Sequence, residues 1–416
     1  MSVTRKRLLA LLLASVALGA SPSWAEVSIA PPASVGVSST GLEALNKTFH
    51  GLVDEGRLAG VATLLARHGK VVHFDAYGVQ DVNTKAPLHR DTIFRIASMT
   101  KPVTGVAMMI LYEEGKWKLD DPVAKYVPEF ANLKVKGPDG TLVAQDHPMT
   151  MRELMSHTAG FDVSAGYAPD VTNRDEPLQA MIDKLGKLPL ATQPGTDWRY
   201  GPSVNIQGHI IEKLSGQPLD QFFEQRIFNP LKMADTGFSV PAAELPRVTS
   251  VHTYDAQKKL IATPSVNDPS VKPAFLSGSG GLLSTTEDYW RFSQMLLNGG
   301  ELDGTRILKP ETIKLMRQNV LKDGVLVDLY GPSQQGIGFG MDVAVVLDPA
   351  KATTPQGKDS FYWGGAFGTW FWIDPTNDLV FIGMIQNLNG SVPGRDTPEV
   401  RSISYPLVYD ALTDVK

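Results

Sequence analysis

Ser98 and Lys101 stand three residues apart inside the run Phe94 to Tyr112, FRIASMTKPVTGVAMMILY. The run reads as a short extended segment ending at Ala97 and an apolar helix beginning at Ser98. Both side chains then share one helical face, about a turn apart. A serine hydroxyl is a weak nucleophile until a base takes its proton. A lysine amine serves as that base only when burial or other cations depress its pKa. Pro102 falls in the first turn, where a missing N–H costs little. The positive end of the helix dipole favours an alkoxide or oxyanion forming at Ser98. The pair is a candidate nucleophile and base, although an S-x-x-K tetrapeptide alone is common by chance. Support has to come from the rest of the chain.

The elements around this stretch follow from hydrophobic periodicity. Leu42, Leu45, Phe49 and Leu52 recur at helical spacing after Ser38-Ser39-Thr40, which predicts a helix over Ser39 to Glu55. Gly60 to Ala66 and Lys70 to Tyr77 are β-rich runs joined by Arg67-His68-Gly69, a hairpin with glycine at its turn. From Leu119 to about Ser270 the pattern changes to helical segments with long Pro/Gly-marked connections, among them Ser203 to Gly216. The Gly-rich turn Ser277 to Gly281 precedes a capped helix starting near Thr285. The C-terminal part returns to β with GIGFGMDVAVV, SFYWGG, TWFWID and LVFIGMIQ, and a last helix spans Ser402 to Asp414. Two N-terminal and three C-terminal strands predict an α+β fold: one antiparallel sheet from both chain ends, flanked by helices, with an inserted mainly helical lobe. The expected division is a sheet lobe of residues 26–118 and 271–416 and a helical lobe of residues 119–270. A cleft between two lobes is where active sites tend to lie.

Bulk properties exclude several classes. The sequence has no cysteine, so disulfides, thiolate metal sites, iron–sulfur clusters and thiol proteases are ruled out. Arg5, Lys6 and Arg7, the apolar stretch Leu8 to Ala20 and the small-x-small Ser23-Trp24-Ala25 predict a secretory signal peptide over residues 1–25. Its apolar core is shorter than the roughly 20 residues a bilayer span needs. Removing its three basic residues takes the net charge from −5 to −8. An acidic chain without basic runs is a poor nucleic-acid binder. The expectation is a soluble, exported protein, periplasmic or secreted, with no membrane anchor. Its eight histidines are scattered without H-E-x-x-H or H-x-H, so no metal is expected. The glycines around Gly280 lack the following lysine of a phosphate loop, and no G-x-S-x-G elbow occurs.

Further motifs follow Ser98-Met99-Thr100-Lys101 in order. They are Leu154-Met155-Ser156-His157-Thr158-Ala159-Gly160, then Gln193-Pro194-Gly195 running through Trp198-Arg199-Tyr200. Phe228-Asn229-Pro230-Leu231-Lys232-Met233 and Gly280-Gly281-Leu282-Leu283-Ser284-Thr285 complete the set. Their sequence resembles the serine β-lactamase and penicillin-binding-protein superfamily, in particular its class C-like branch and the family VIII carboxylesterases. The resemblance spans most of the mature chain and implies the β-lactamase/transpeptidase-like fold. It implies Tyr200 as a third catalytic group beside Ser98 and Lys101. Tyr200 or Lys101 would deprotonate Ser98, Tyr200 would protonate the leaving group, and their titrations would be coupled. It implies an oxyanion hole from the N–H groups of Ser98 and Ala366, each such donor contributing about 3 kcal/mol. His157, within its motif, is expected to make structural hydrogen bonds at a helix end.

Two positions depart from the β-lactamase pattern. Pro202 stands where the family carries an asparagine two residues after the tyrosine, with Asn205 as a partial substitute. Trp363-Gly364-Gly365 replaces Lys-Thr-Gly, which removes a cation able to meet a substrate carboxylate. A tryptophan offers an apolar wall, and the two glycines suit close approach of substrate to backbone. The W-G-G form resembles the family VIII esterases. Together these predict a serine hydrolase working through a Ser98 acyl-enzyme without metal or organic cofactor. Its expected substrates are short to medium acyl esters, with weak β-lactam hydrolysis as a side activity. The rivals are a β-lactamase or D-Ala-type peptidase, a transacylase, and a penicillin- or peptidoglycan-binding protein without turnover.

Overall fold

The computed structural model describes residues 27–137, 139–162, 171–264, 267–328, 334–388 and 398–415; the expected signal peptide lies outside them. Strands β1 (Gly60–Arg67) and β2 (Lys70–Gly78) form the expected hairpin. His68 and Gly69 both take positive φ, 51° and 70°, the turn form whose twist matches paired strands. Five more strands come from the other end of the chain: β3 (Ile337–Phe339), β4 (Ala344–Val346), β5 (Phe361–Gly364), β6 (Trp370–Asp374) and β7 (Leu379–Met384). The seven make one sheet in the order β3-β4-β5-β6-β7-β1-β2, and every neighbouring pair is antiparallel. The β1–β7 pairing, Ala62 opposite Met384 through Arg67 opposite Leu379, joins the two chain ends.

The sheet holds five C-terminal strands rather than the three expected. GIGFGMDVAVV folds back on itself at Gly340 to Val343, with Gly340 N donating to Val343 O at 2.9 Å and Asp342 at φ 60°. Both faces of the sheet are covered, which is why its strands are nearly continuous apolar runs. Alternation still sorts the side chains. Ala62, Leu64, Phe371, Ile373, Val380 and Ile382 enter one core, while Val61, Leu65, Trp370, Trp372, Leu379 and Phe381 enter the other. The second core is closed by helices α1 (Ser39–Asp54) and α5 (Val400–Asp410). Helix α5 stops at Asp410, short of the expected Asp414, because Leu412 leaves it to bridge Val37 and Thr413 N donates to Gly36 O.

The first core surrounds helix α2 (Thr100–Glu113), buried at every position from Thr100 to Leu111. A helix apolar on all sides is an interior helix, and Lys101 is the one charged residue in that stretch. Packed in the same core are α3 (Ser203–Ser215), ended by Gly216 at φ 71°, and α4 (Thr286–Leu297), whose N-cap Thr285 accepts from Asp288 N.

Arg67, the last residue of β1, clasps the chain termini. Its fully buried guanidinium donates to Val35 O (3.0 Å), Gly36 O (2.9 Å) and Asn377 O (3.1 Å), and it pairs with Asp414. Truncating it orphans three carbonyls at once. Arg67→Ala should lower the unfolding free energy by about 3 kcal/mol, measured by urea denaturation, whereas a loss below about 1 kcal/mol would show that water replaces those bonds.

Candidate active site

Residues leading to Ser98 are held from several directions. Phe94 and Arg95 pair with Ser284 and Leu283, and the side chain of Gln386 bonds both main-chain groups of Arg95. Ile96 N donates to Leu282 O at 3.1 Å, and Ile96 O accepts from Thr369 Oγ1 at 3.1 Å. Ala97 then takes φ 45°, a left-handed conformation that a residue with a Cβ adopts only under surrounding constraint. Ser98 lies in a tight 3-10 turn, Ala97–Met99, and the α-helix proper begins at Thr100, two residues later than expected. Tyr289 OH fixes the turn by donating to Met99 O at 2.9 Å.

The structure brings Ser98, Lys101 and Tyr200 together. Lys101 Nζ donates to Ser98 Oγ at 3.1 Å and to Ser279 O at 2.7 Å, and it stands 4.6 Å from the centre of the Tyr200 ring. The Tyr200 hydroxyl lies 2.8 Å from Ser98 Oγ. Lys101 is 3% exposed and pairs with no carboxylate among the described residues. The hydroxyl of Ser98 is thus enclosed by an amine and a phenol that can exchange its proton, the geometry general-base catalysis requires.

Tyr200 is carried on the segment that ends at α3, with Pro202 as its N-cap. Asn205, in the first turn of α3, is buried. Its side-chain oxygen accepts from Ser277 Oγ (3.0 Å) and Ser279 N (2.9 Å), which places it against the Gly-rich turn. Thr104 Oγ1 donates to Gly278 O in the same turn. Asn205 and Thr104 together fix the Ser279 carbonyl that receives Lys101.

Across from Ser98 lies the end of β5. Gly365 N donates to Thr369 O at 2.7 Å, and a Cβ on Gly365 would stand 2.4 Å from Ile96 O, so this strand end abuts the serine turn. The exposed Ala366 follows, and neither its N–H nor that of Ser98 has a partner among the described residues. Two free donors flanking a nucleophile can receive an oxyanion. Protein groups, not open space, occupy the faces of both glycines: the Arg401 guanidinium against Gly364, Thr369 and Ile96 against Gly365. Trp363 is 5% exposed, with its ring 5.7 Å from that of Tyr200 and 5.5 Å from that of Phe339. Most of the indole therefore backs Tyr200.

The His157 ring departs from the expected role, since neither nitrogen finds a hydrogen-bond partner among the described residues, while its main-chain carbonyl accepts from Arg199 N at 2.8 Å. Its ring is fully enclosed by Trp198, Tyr200 and Phe339, at 5.7, 5.1 and 5.5 Å. Phe339 comes from β3, far along the chain, so the aromatic cage had no local sequence signal. Burial, with help from the charge of Lys101, pushes the His157 imidazole down to about 3. A second buried group missed from sequence is Asp342, whose carboxyl accepts from Gln207 Nε2 at 3.1 Å and lies against Gly105, one turn along α2 from Lys101. Burial drives this carboxyl well above the usual range, opposed by the Gln207 bond and the Lys101 charge. Among the described residues no group of three or more His, Asp or Glu is placed to hold a metal. A histidine that stays neutral when folded but protonates near 6.5 when unfolded costs stability as pH falls from 6.5 towards 3. Between pH 7 and pH 5, unfolding free energy should drop about 2 kcal/mol more in wild type than in His157→Phe, and equal acid losses in urea titrations would contradict a neutral buried ring.

The chain is similar to several known proteins. Residues 45–403 match the family described as Beta-lactamase. Protein Rv1367c of Mycobacterium tuberculosis is 36% identical over 362 residues, covering 80% of this chain and 87% of its own. Esterase EstB of Burkholderia gladioli is 29% identical over 393 residues, covering 87% and 94%. The solved structure of EstCE1, described as a hydrolase with promiscuous acyltransferase activity, superposes with a TM-score of 0.74 at 26% identity, over 90% of this chain and 99% of its own. The chain belongs to the Beta-lactamase family, and is a serine hydrolase of the β-lactamase and penicillin-binding-protein superfamily.

Proposed function

We propose that this protein is an exported carboxylesterase that cleaves short to medium acyl esters through an acyl-enzyme on Ser98. The observation that carries the reading is the placement of Ser98 Oγ, 2.8 Å from the Tyr200 hydroxyl and 3.1 Å from Lys101 Nζ, near two N–H groups that have no partner among the described residues. Ser98 Oγ attacks the ester carbonyl carbon as its proton passes to the Tyr200–Lys101 pair. The carbonyl oxygen, now negative, is received by the N–H groups of Ser98 and Ala366. Tyr200 returns the proton to the departing alkoxide, which leaves as the alcohol. Water then attacks the acyl-serine by the same route in reverse, releasing the acid. Each proton moves between groups already within hydrogen-bond reach.

The choice of ester over lactam rests on Trp363, which puts a buried indole beside Tyr200 at the sequence position where the β-lactamase pattern carries a lysine. The likeness to EstB, an esterase, supports the same choice. Transfer of the acyl group to an alcohol other than water is a second reading, favoured by the likeness to EstCE1. Export rests on the pattern Arg5-Lys6-Arg7, Leu8 to Ala20 and Ser23-Trp24-Ala25.

Turnover of p-nitrophenyl acetate, butyrate and octanoate should greatly exceed that of a chromogenic cephalosporin, and Ser98→Ala should abolish it. Fast cephalosporin cleavage with negligible ester cleavage would overturn the substrate choice, and a stoichiometric adduct without turnover would favour the binding-protein rival. Tyr200→Phe removes the hydroxyl but keeps the ring over Lys101. It should lower kcat by about 10²–10⁴-fold. A loss under threefold would assign the proton transfers to Lys101 alone.

A further inference from the structure

The peptide unit between Gly365 and Ala366, whose N–H the proposed function assigns as an oxyanion donor, has its carbonyl end held by a cation. Gly365 O accepts from Gly368 N at 3.0 Å, closing the turn from β5 to β6, and from Arg401 Nη2 at 3.4 Å. Arg401 belongs to the first turn of α5, a helix packed in the core on the far side of the sheet from α2. Its guanidinium lies against the backbone of β5. A Cβ on Gly364 would stand 2.2 Å from Nη2 and 2.3 Å from Cζ, so the absence of a side chain there is what admits the cation. Among the described residues no carboxylate pairs with Arg401, and its charge reaches the phenols of Tyr362 and Tyr405.

This arrangement has a chemical consequence at the other end of the peptide. Gly365 O is the acceptor that closes the turn from Gly365 to Gly368, so a flip of the Gly365–Ala366 peptide would break that bond. Such a flip would also put a carbonyl oxygen on the side assigned to the N–H donor and repel an oxyanion. Two donors on Gly365 O oppose the flip. A cation at the carbonyl end also draws electron density along the amide, which makes the N–H a stronger donor.

We propose that Arg401 is a positioning residue of the oxyanion hole: it binds the Gly365 carbonyl, fixes the plane of the Gly365–Ala366 peptide, and strengthens the Ala366 N–H towards charge developing at Ser98. The proposal rests on the acyl-enzyme reading above, and it gives Gly364 a reason beyond strand geometry. Arg401 touches no reacting atom in this scheme; its effect passes through the peptide.

The test uses a neutral ester, p-nitrophenyl butyrate, with wild type, Arg401→Gln, Arg401→Lys and Gly364→Ala, each checked by urea unfolding. Losing a whole oxyanion donor costs about 10²–10³-fold in kcat, so weakening one should cost about tenfold. Arg401→Gln should show that tenfold loss in kcat with KM within twofold, and Arg401→Lys should recover part of it. Gly364→Ala displaces the guanidinium and should lose kcat similarly, without adding to Arg401→Gln in the double variant. A folded Arg401→Gln with unchanged kcat overturns the proposal. So does a change confined to KM, or a loss seen only with esters that carry a carboxylate, which would make Arg401 a substrate contact. Ester turnover that survives Ser98→Ala would overturn the acyl-enzyme reading and this proposal with it; an inert Arg401 with Ser98 still essential overturns this proposal alone.

Discussion

Lys101 places an amine at the mouth of a helix whose other positions, from Thr100 to Leu111, are buried and uncharged. An ammonium moved away from water without partners is costly. Here the partners are Ser98 Oγ, the Ser279 carbonyl and the face of the Tyr200 ring, with no carboxylate among the described ion pairs. A carboxylate in that position would hold the cation tightly and compete with Ser98 for its protons. Neutral acceptors solvate it while leaving it responsive to the serine. Much of the surrounding structure exists to keep these acceptors in place. Asn205 and Thr104 hold the turn that carries Ser279, and the rings of His157, Trp198 and Trp363 hold the Tyr200 ring.

The second requirement is that the serine turn meet the end of β5. Residues near 96 and residues near 365 come from opposite ends of the chain, joined because β1 pairs with β7. Thr369 stitches the two directly through Ile96 O, and Gly365 lets the backbones approach. Ser98 sits in the turn that opens a buried helix, and Ala366 follows the end of the interior strand β5, so rigid elements hold both. Ala97, at φ 45°, is the local strain that results, maintained by bonds to Ile96, Met99 and Thr100 on either side of it.

Much of this was legible from residue types and spacing. The Ser39 helix, the His68-Gly69 hairpin and the helix ended by Gly216 each carry a local signal, an amphipathic stripe or a turn residue with positive φ. The spacing of Ser98 and Lys101 marks them only as candidates, and they, like Tyr200, gained weight from the motifs that accompany them. Less legible were features fixed by distant contacts. GIGFGMDVAVV reads as one β stretch, because the turn that divides it places Asp342, not glycine, at positive φ. The hydrogen bonds expected of His157 are replaced, at its ring, by aromatic contacts with Phe339, which no local pattern brings near it. The Ser279 carbonyl is a main-chain group and has no residue signature. Arg401 looks like an ordinary helix residue until its packing on Gly364 is seen.

The proposed function turns on one covalent event, transfer of an acyl group to Ser98 Oγ. Intact-protein mass spectrometry after rapid acid quench of a p-nitrophenyl butyrate reaction detects that event directly. A serine nucleophile activated by Lys101 and Tyr200 predicts a mass increase of one butanoyl group, mapped by peptide digestion to the segment containing Ser98. No adduct at any quench time, or an adduct on another residue during turnover, would contradict it.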